Sequence, residues 1–305
     1  MRTLSFAILA ALGLAAAPVQ AADLGYDFLR GTDYGEPAFV STPLIDWSGA
    51  YVGAHGGYSN AAMGFRNVFQ SLVYSESRLT SGEENFGAST LLNPPARRSR
   101  GGSFGGYAGY NVQYGDFVFG LEGDYTWLDR TGLSGDALAR VKSTNDGMLE
   151  RIALSGVSAT RIADYGTIRA RLGYAYGNFL PYVTGGVAIG RMQITDSVAY
   201  RNYGYNLATY NANQALTPDK NPAYVTNFGY TAFSQGSPES SFPYTWNIAR
   251  HRSKVVGGIA LGAGLEYAVT QNIILRGEYQ YVLLDDFAGH KSNINTVRGG
   301  AAVKF

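Results

Sequence analysis

The chain has 305 residues, 24 Lys and Arg against 23 Asp and Glu, a formal net charge of +1, and no cysteine. That excludes a disulfide-stapled scaffold and thiolate chemistry, and gives no electrostatic footprint for nucleic acid. With 40 glycines, 23 tyrosines and only 15% charged residues, the composition suits a β-barrel crossing an outer membrane by alternating strands.

In chain order, Met1-Arg2, an apolar run from Leu4 to Ala17 and the small-x-small Val19-Gln20-Ala21 predict a signal peptide over residues 1–21. No later apolar run is long enough for a helical span. Residues 22–46, with Pro37 and Pro43, read as a periplasmic N-terminal segment. From there, residues 47–305 read as the barrel domain. Eight segments alternate between apolar or aromatic and small or polar side chains: Trp47–Ser59, Ser103–Tyr114, Phe117–Leu128, Asp164–Tyr176, Leu180–Met192, Ser253–Val269, Ile273–Leu284 and Ile294–Phe305. In IILRGEYQYVLL, Ile273, Leu275, Gly277, Tyr279, Tyr281 and Leu283 share one face, while Ile274, Arg276, Glu278, Gln280 and Val282 share the other.

Connections of two kinds join them. Tyr114-Gly115-Asp116-Phe117, Gly177-Asn178-Phe179 and Thr270-Gln271-Asn272 are tight turns, whereas residues 60–102, 129–163, 193–252 and, shorter, 285–293 are predicted as links at the opposite end. Short turns at one end and long loops at the other predict an all-β fold, an eight-stranded antiparallel up-and-down transmembrane barrel with long extracellular loops.

WSGAYVGAHGGYS carries Trp47-Ser48-Gly49, Tyr51, Gly53 and Gly57-Tyr58; PYVTGGVAIG runs from Pro181 to Gly190, and the chain stops on VKF. These stretches resemble the alphaproteobacterial outer-membrane β-barrel family, which includes surface antigens and hemin-binding proteins and whose members are often labelled porins. The resemblance implies location in the cell outer membrane, periplasmic short turns, and a role for the exposed terminal Phe305 as the signal read by the barrel-assembly machinery.

Parity puts Glu122, Asp124, Arg169, Arg171, Glu266, Arg276, Glu278 and Arg298 inside, with Asn111, Gln113 and Tyr182 beside them. An eight-stranded barrel is only wide enough for its own side chains, so the four acids and four arginines should pair as a polar plug. The expected function is a structural and surface role in the cell envelope, without enzymatic activity, cofactor or metal. The alternatives are a low-conductance porin-like channel, should the pairs part, and a hemin-binding surface receptor. Hemin would use His251 and His290 beside the loops, with Tyr200, Tyr203, Tyr205 and Tyr210 as aromatic or axial partners.

Arg250, Arg252 and Lys254 in RHRSK are expected to contact lipopolysaccharide phosphates, and Arg97, Arg98 and Arg100 could do the same. In that stretch His251 and Ser253, with Asp285 and Asp286 nearby, resemble the His-x-Ser pair of small-barrel lipid A deacylases. The flanking cations favour the simpler lipid contact. Expected partners are therefore outer-membrane lipids and lipopolysaccharide, the assembly machinery and, in the alternative, hemin.

Overall fold

The structure, a computed structural model, describes residues 45–305; the signal peptide and nearly all of the N-terminal segment expected from sequence lie outside the described residues. Eight long strands follow: β1 (Gly49–Gly64), β2 (Arg97–Tyr114), β3 (Phe117–Ser143), β4 (Met148–Tyr174), β5 (Phe179–Asn206), β6 (Trp246–Ala268), β7 (Ile273–Phe287) and β8 (His290–Lys304). Each pairs antiparallel with its sequence neighbours, and β8 pairs with β1 from Tyr51↔Lys304 to Gly64↔Lys291. The eight strands form a ring. Closing it leaves none of the long strands with an unpaired edge, which in hydrocarbon would cost several kcal/mol for every unsatisfied backbone group.

The polarity of the ring is inverted relative to a soluble protein. Phe119, Leu121, Ile168, Leu172, Val187, Leu261, Leu265, Leu275 and Val297 are exposed on the outer face, while Glu122, Arg169, Glu266 and Arg298 are buried inside. Tyr110, Tyr114, Phe117, Tyr174, Phe179 and Tyr267 are exposed near the end carrying the tight turns, as an aromatic girdle requires.

Strand length departs from the sequence reading. Residues 129–163 are predicted as a link, yet β3 and β4 run on as a hairpin to a turn at Thr144–Gly147, where Gly147 has φ +80° and its N–H donates to the Thr144 carbonyl. β5 and β6 likewise stay paired as far as Tyr200↔Trp246, and the fourth link shrinks to a turn at Ala288-Gly289. With 27 residues in β3 and in β4, the hairpin rises roughly 70 Å at a tilt near 40° against roughly 25 Å of apolar band. It stands well clear of the membrane.

Two effects hid this extension. Above the membrane neither face meets lipid, so outward positions carry Thr131, Ser155 and Arg161 and the alternation loses contrast. In addition, the register shifts between Trp127 and Arg130 of β3 and between Ile162 and Asp164 of β4. A bulge of one residue exchanges the faces. In β4 the buried series Arg171, Arg169, Thr167, Tyr165 gives way to Ile162, Thr160, Ser158 and Leu154, so one continuous parity cannot describe the strand.

The first link also has structure. It holds α1 (Gln70–Ser77), α2 (Ser81–Phe86) and a short turn of 3-10 helix, and it plugs the barrel mouth opposite the tight turns. A third helix, α3 (Leu207–Gln214), opens the connection from β5 to β6; Asn206 Oδ1 caps it by accepting from the Thr209 N–H.

Candidate functional site

From the tight-turn end inward, the lumen begins with an apolar layer in which Trp47, Tyr51, Tyr107, Val118, Leu180 and Ile274 pack together. Trp47 is held there by its backbone N–H, which donates to Gln113 Oε1 at 2.8 Å.

Above it lies the charged layer. Strand register creates three of its contacts directly, because Glu122 is the cross-strand partner of Arg169, Glu266 of Arg276, and Glu278 of Arg298. Curvature joins these pairs into one cluster. Arg169 lies 2.7 Å from Glu122, 2.9 Å from Asp124 and 2.5 Å from Glu278. Arg276 reaches Glu122 at 2.5 Å and Glu266 at 2.8 Å, Arg298 reaches Glu278 at 3.0 Å and Asp124 at 3.2 Å, and Arg171 pairs with Glu266. Neutral donors take further carboxylate positions: Tyr51 donates to Glu122, Tyr182 to Glu278 and Thr167 to Asp124, at 2.8, 2.8 and 2.7 Å. The Arg171 guanidinium sits 4.0 Å over the Tyr182 ring, and that of Arg276 4.0 Å over Tyr107. None of the eight charged side chains is more than 3% exposed. Chemically this is a compensated plug.

A larger apolar layer follows, built from Leu128, Ile152, Leu154, Ile162, Tyr165, Met192, Ile194, Val256, Val282, Leu284 and Ile294, and sealed from outside by Phe65, Val68, Phe69 and Val73 of the first link. A polar clasp secures that seal. Arg250 contacts Asp196 at 2.6 Å and donates to the Val68 carbonyl at 2.8 Å and to Ser71 Oγ at 3.1 Å. Asp196 also accepts from Ser158 at 2.7 Å and faces His290 Nε2 at 3.2 Å, and His290 Nδ1 meets Thr160 Oγ1 at 2.6 Å. Burial acts to raise the Asp196 pKa, but hydrogen bonds from His290, Ser158 and Arg250 hold the carboxyl below its ordinary value.

A model of the outer membrane protein beta-barrel domain matches residues 7–305. The chain belongs to that family. Similar to this barrel-domain chain is the 31 kDa outer-membrane immunogenic protein of Brucella melitensis, 27% identical over 281 residues and 88% of each chain. The 22 kDa outer membrane protein of Rhizobium leguminosarum is 28% identical over 180 residues, which is 58% of this chain and 51% of that one. Solved structures similar to it include Ail, the attachment invasion locus protein of Yersinia pestis, at 12% identity and TM-score 0.30 over 85% of this chain and 99% of that one. Neisserial surface protein A gives 15% identity and TM-score 0.30 over 85% and 98%. As a member of an alphaproteobacterial branch of the outer-membrane barrel family, this protein resides in the cell outer membrane, in its lipid and lipopolysaccharide environment, with an envelope and surface role.

The structure brings the eight lumen residues named from sequence into one network. It does not bring the rim residues into one site. Arg250 and His290 are expected to contact lipopolysaccharide or hemin, but both face inward and are engaged in the clasp, with His290 fully buried edge-on to Phe65. Sequence parity does not reach either residue, because the predicted sixth and eighth segments begin at Ser253 and Ile294, beyond both. His251, on the opposite face of β6, is exposed with Nδ1 2.9 Å from Thr195 Oγ1. Arg252 is exposed, and Lys254 Nζ lies 5.3 Å over the Phe287 ring. Phe305 is 75% exposed beyond β8.

Sequence reasoning missed the capping link. A signal for it exists, since Phe65, Val68, Phe69, Leu72 and Val73 recur at helical spacing inside what reads as a loop.

Proposed function

We propose that the protein is a non-conducting, non-enzymatic barrel that anchors and presents extracellular structure. What supports this is the filled lumen: an apolar layer, eight paired charges, a second apolar layer and a helical cap follow one another along the axis. Ion passage would require the arginine–carboxylate contacts to open together, each leaving an uncompensated buried charge at about 3–5 kcal/mol. The role of Phe305 as the residue read by the assembly machinery belongs to this proposal too.

The test is single-channel recording of the purified, refolded protein in a planar bilayer. Silence across the voltage range supports a sealed barrel; discrete steps that survive purification would replace it with a low-conductance channel. Hemin bound through a histidine would have to use His251, because His55 and His290 are buried. A Soret shift lost in His251→Ala would establish the receptor reading instead.

A further inference from the structure

Between the first link and the tips of β5 and β6 lies a cleft of about 270 Å³, lined by Glu76, Thr80, Ser81, Tyr200, Asn202, Phe228, Gly229 and Trp246. Its walls are aromatic. The Tyr200 and Trp246 rings stand 5.9 Å apart at 47°, and Tyr244 braces Trp246 edge-on at 4.6 Å. Tyr200 is only 2% exposed, its hydroxyl 3.2 Å from Thr80 Oγ1.

A buried acceptor without a donor faces this environment. Asn202 is 4% exposed; its Nδ2 donates to Ser81 Oγ at 3.1 Å, while Oδ1 has no hydrogen-bond partner. Unpaired buried acceptors are uncommon because each forfeits its desolvation cost. Oδ1 is thus open to an N–H or O–H brought by a ligand.

The local charge narrows the choice. The lining includes the carboxylate of Glu76 and neither Lys nor Arg. Glu150, buried and with Oε1 likewise unpartnered, pairs in register with Gly204, two residues from Asn202. Residues two apart on a strand lie on one face about 7 Å apart. Negative charge, aromatic faces and free acceptors together suit a cation that donates hydrogen bonds.

We propose that this cleft binds an organic cation bearing N–H groups, an alkylammonium or guanidinium, resting on the half-exposed Trp246 ring, which Tyr200 and Tyr244 brace, and donating to Asn202 Oδ1, with Glu76 at the rim. The chemistry is common to a free polyamine and to a basic side chain of a peptide.

Isothermal titration of the full, detergent-refolded chain with spermidine, a trilysine peptide and tetramethylammonium tests it. Saturable binding of spermidine or trilysine is expected, weakened about tenfold by Trp246→Ala, and weakened by Glu76→Gln, with heat-modifiable mobility unchanged in both variants. Tighter spermidine binding supports a free amine, and tighter peptide binding a protein source; both uphold the cation chemistry. No saturable binding, an affinity indifferent to Trp246→Ala, or tetramethylammonium bound as tightly as spermidine would overturn it.

Discussion

Arg169 illustrates what one side chain does in a lumen filled by its own side chains. It is fully buried and touches Glu122, Asp124 and Glu278, which come from two strands that are not adjacent in the ring. Arg169→Ala leaves three carboxylates sharing the remaining arginines, and should lower stability by about 3–5 kcal/mol, the usual cost of breaking a buried pair. Denaturant unfolding in detergent reads it directly, and an unchanged midpoint would mean that water already solvates the acids. Asp196 permits a prediction about pH. Its folded pKa is depressed below the ordinary 3.8, so the clasp contributes fully above that value and its contribution is lost as pH falls through the folded pKa. Limited pepsin digestion across this range should open the first link progressively in the native chain. In Asp196→Asn that pH dependence should be much reduced. The two residues differ in legibility. Arg169 lies in a membrane-spanning stretch where lipid forces apolar side chains to one parity, so its inward direction follows from its neighbours; Asp196 lies beyond, where both faces tolerate polar groups.

The first link and the β3–β4 hairpin show how elements escaped the sequence. Alternation reports the solvent on each face, and the extension of β3 and β4 has no lipid on its outer face. Its bulge near Asp129, which takes φ +43°, also interrupts the period. The first link failed for a different reason: its apolar residues follow a helical period while the surrounding segments follow a strand period. Phe69 is its central plug residue, 1% exposed and packed where Gly156 leaves room; a Cβ at Gly156 would come within 2.7 Å of the ring. Phe69→Ala should cost about 3–5 kcal/mol within the cap, and Gly156→Leu should expel the ring by overpacking. Both should accelerate proteolysis within residues 65–96 while heat-modifiable mobility persists. Loss of that mobility would show that the cap and the barrel fold as one unit. In intact cells, external protease should reach the tip at Thr144–Gly147 and spare Gly115-Asp116.

At the scale of the whole molecule, closure of the ring and entry into the membrane make separate demands on the last residue. The β8–β1 seam pairs from Tyr51↔Lys304 onward, and the Phe305 N–H donates to the Ala50 carbonyl at 2.9 Å. The Phe305 side chain itself is largely exposed, so it adds little to packing inside the barrel. A chain ending at Lys304 therefore loses one terminal hydrogen bond, about 1 kcal/mol, and should refold in detergent with nearly native stability. If the assembly machinery reads the terminal aromatic, insertion in cells should instead fall several-fold, because recognition precedes formation of the seam and cannot be rescued by the stability of the finished ring. Comparing heat-modifiable, membrane-inserted protein from both chains in cells with refolding of both in vitro separates the two demands. Equal insertion would leave Phe305 as a girdle aromatic. Failure in both settings would place its contribution in closure, where the Ala50 contact is the only described hydrogen bond made by its backbone N–H.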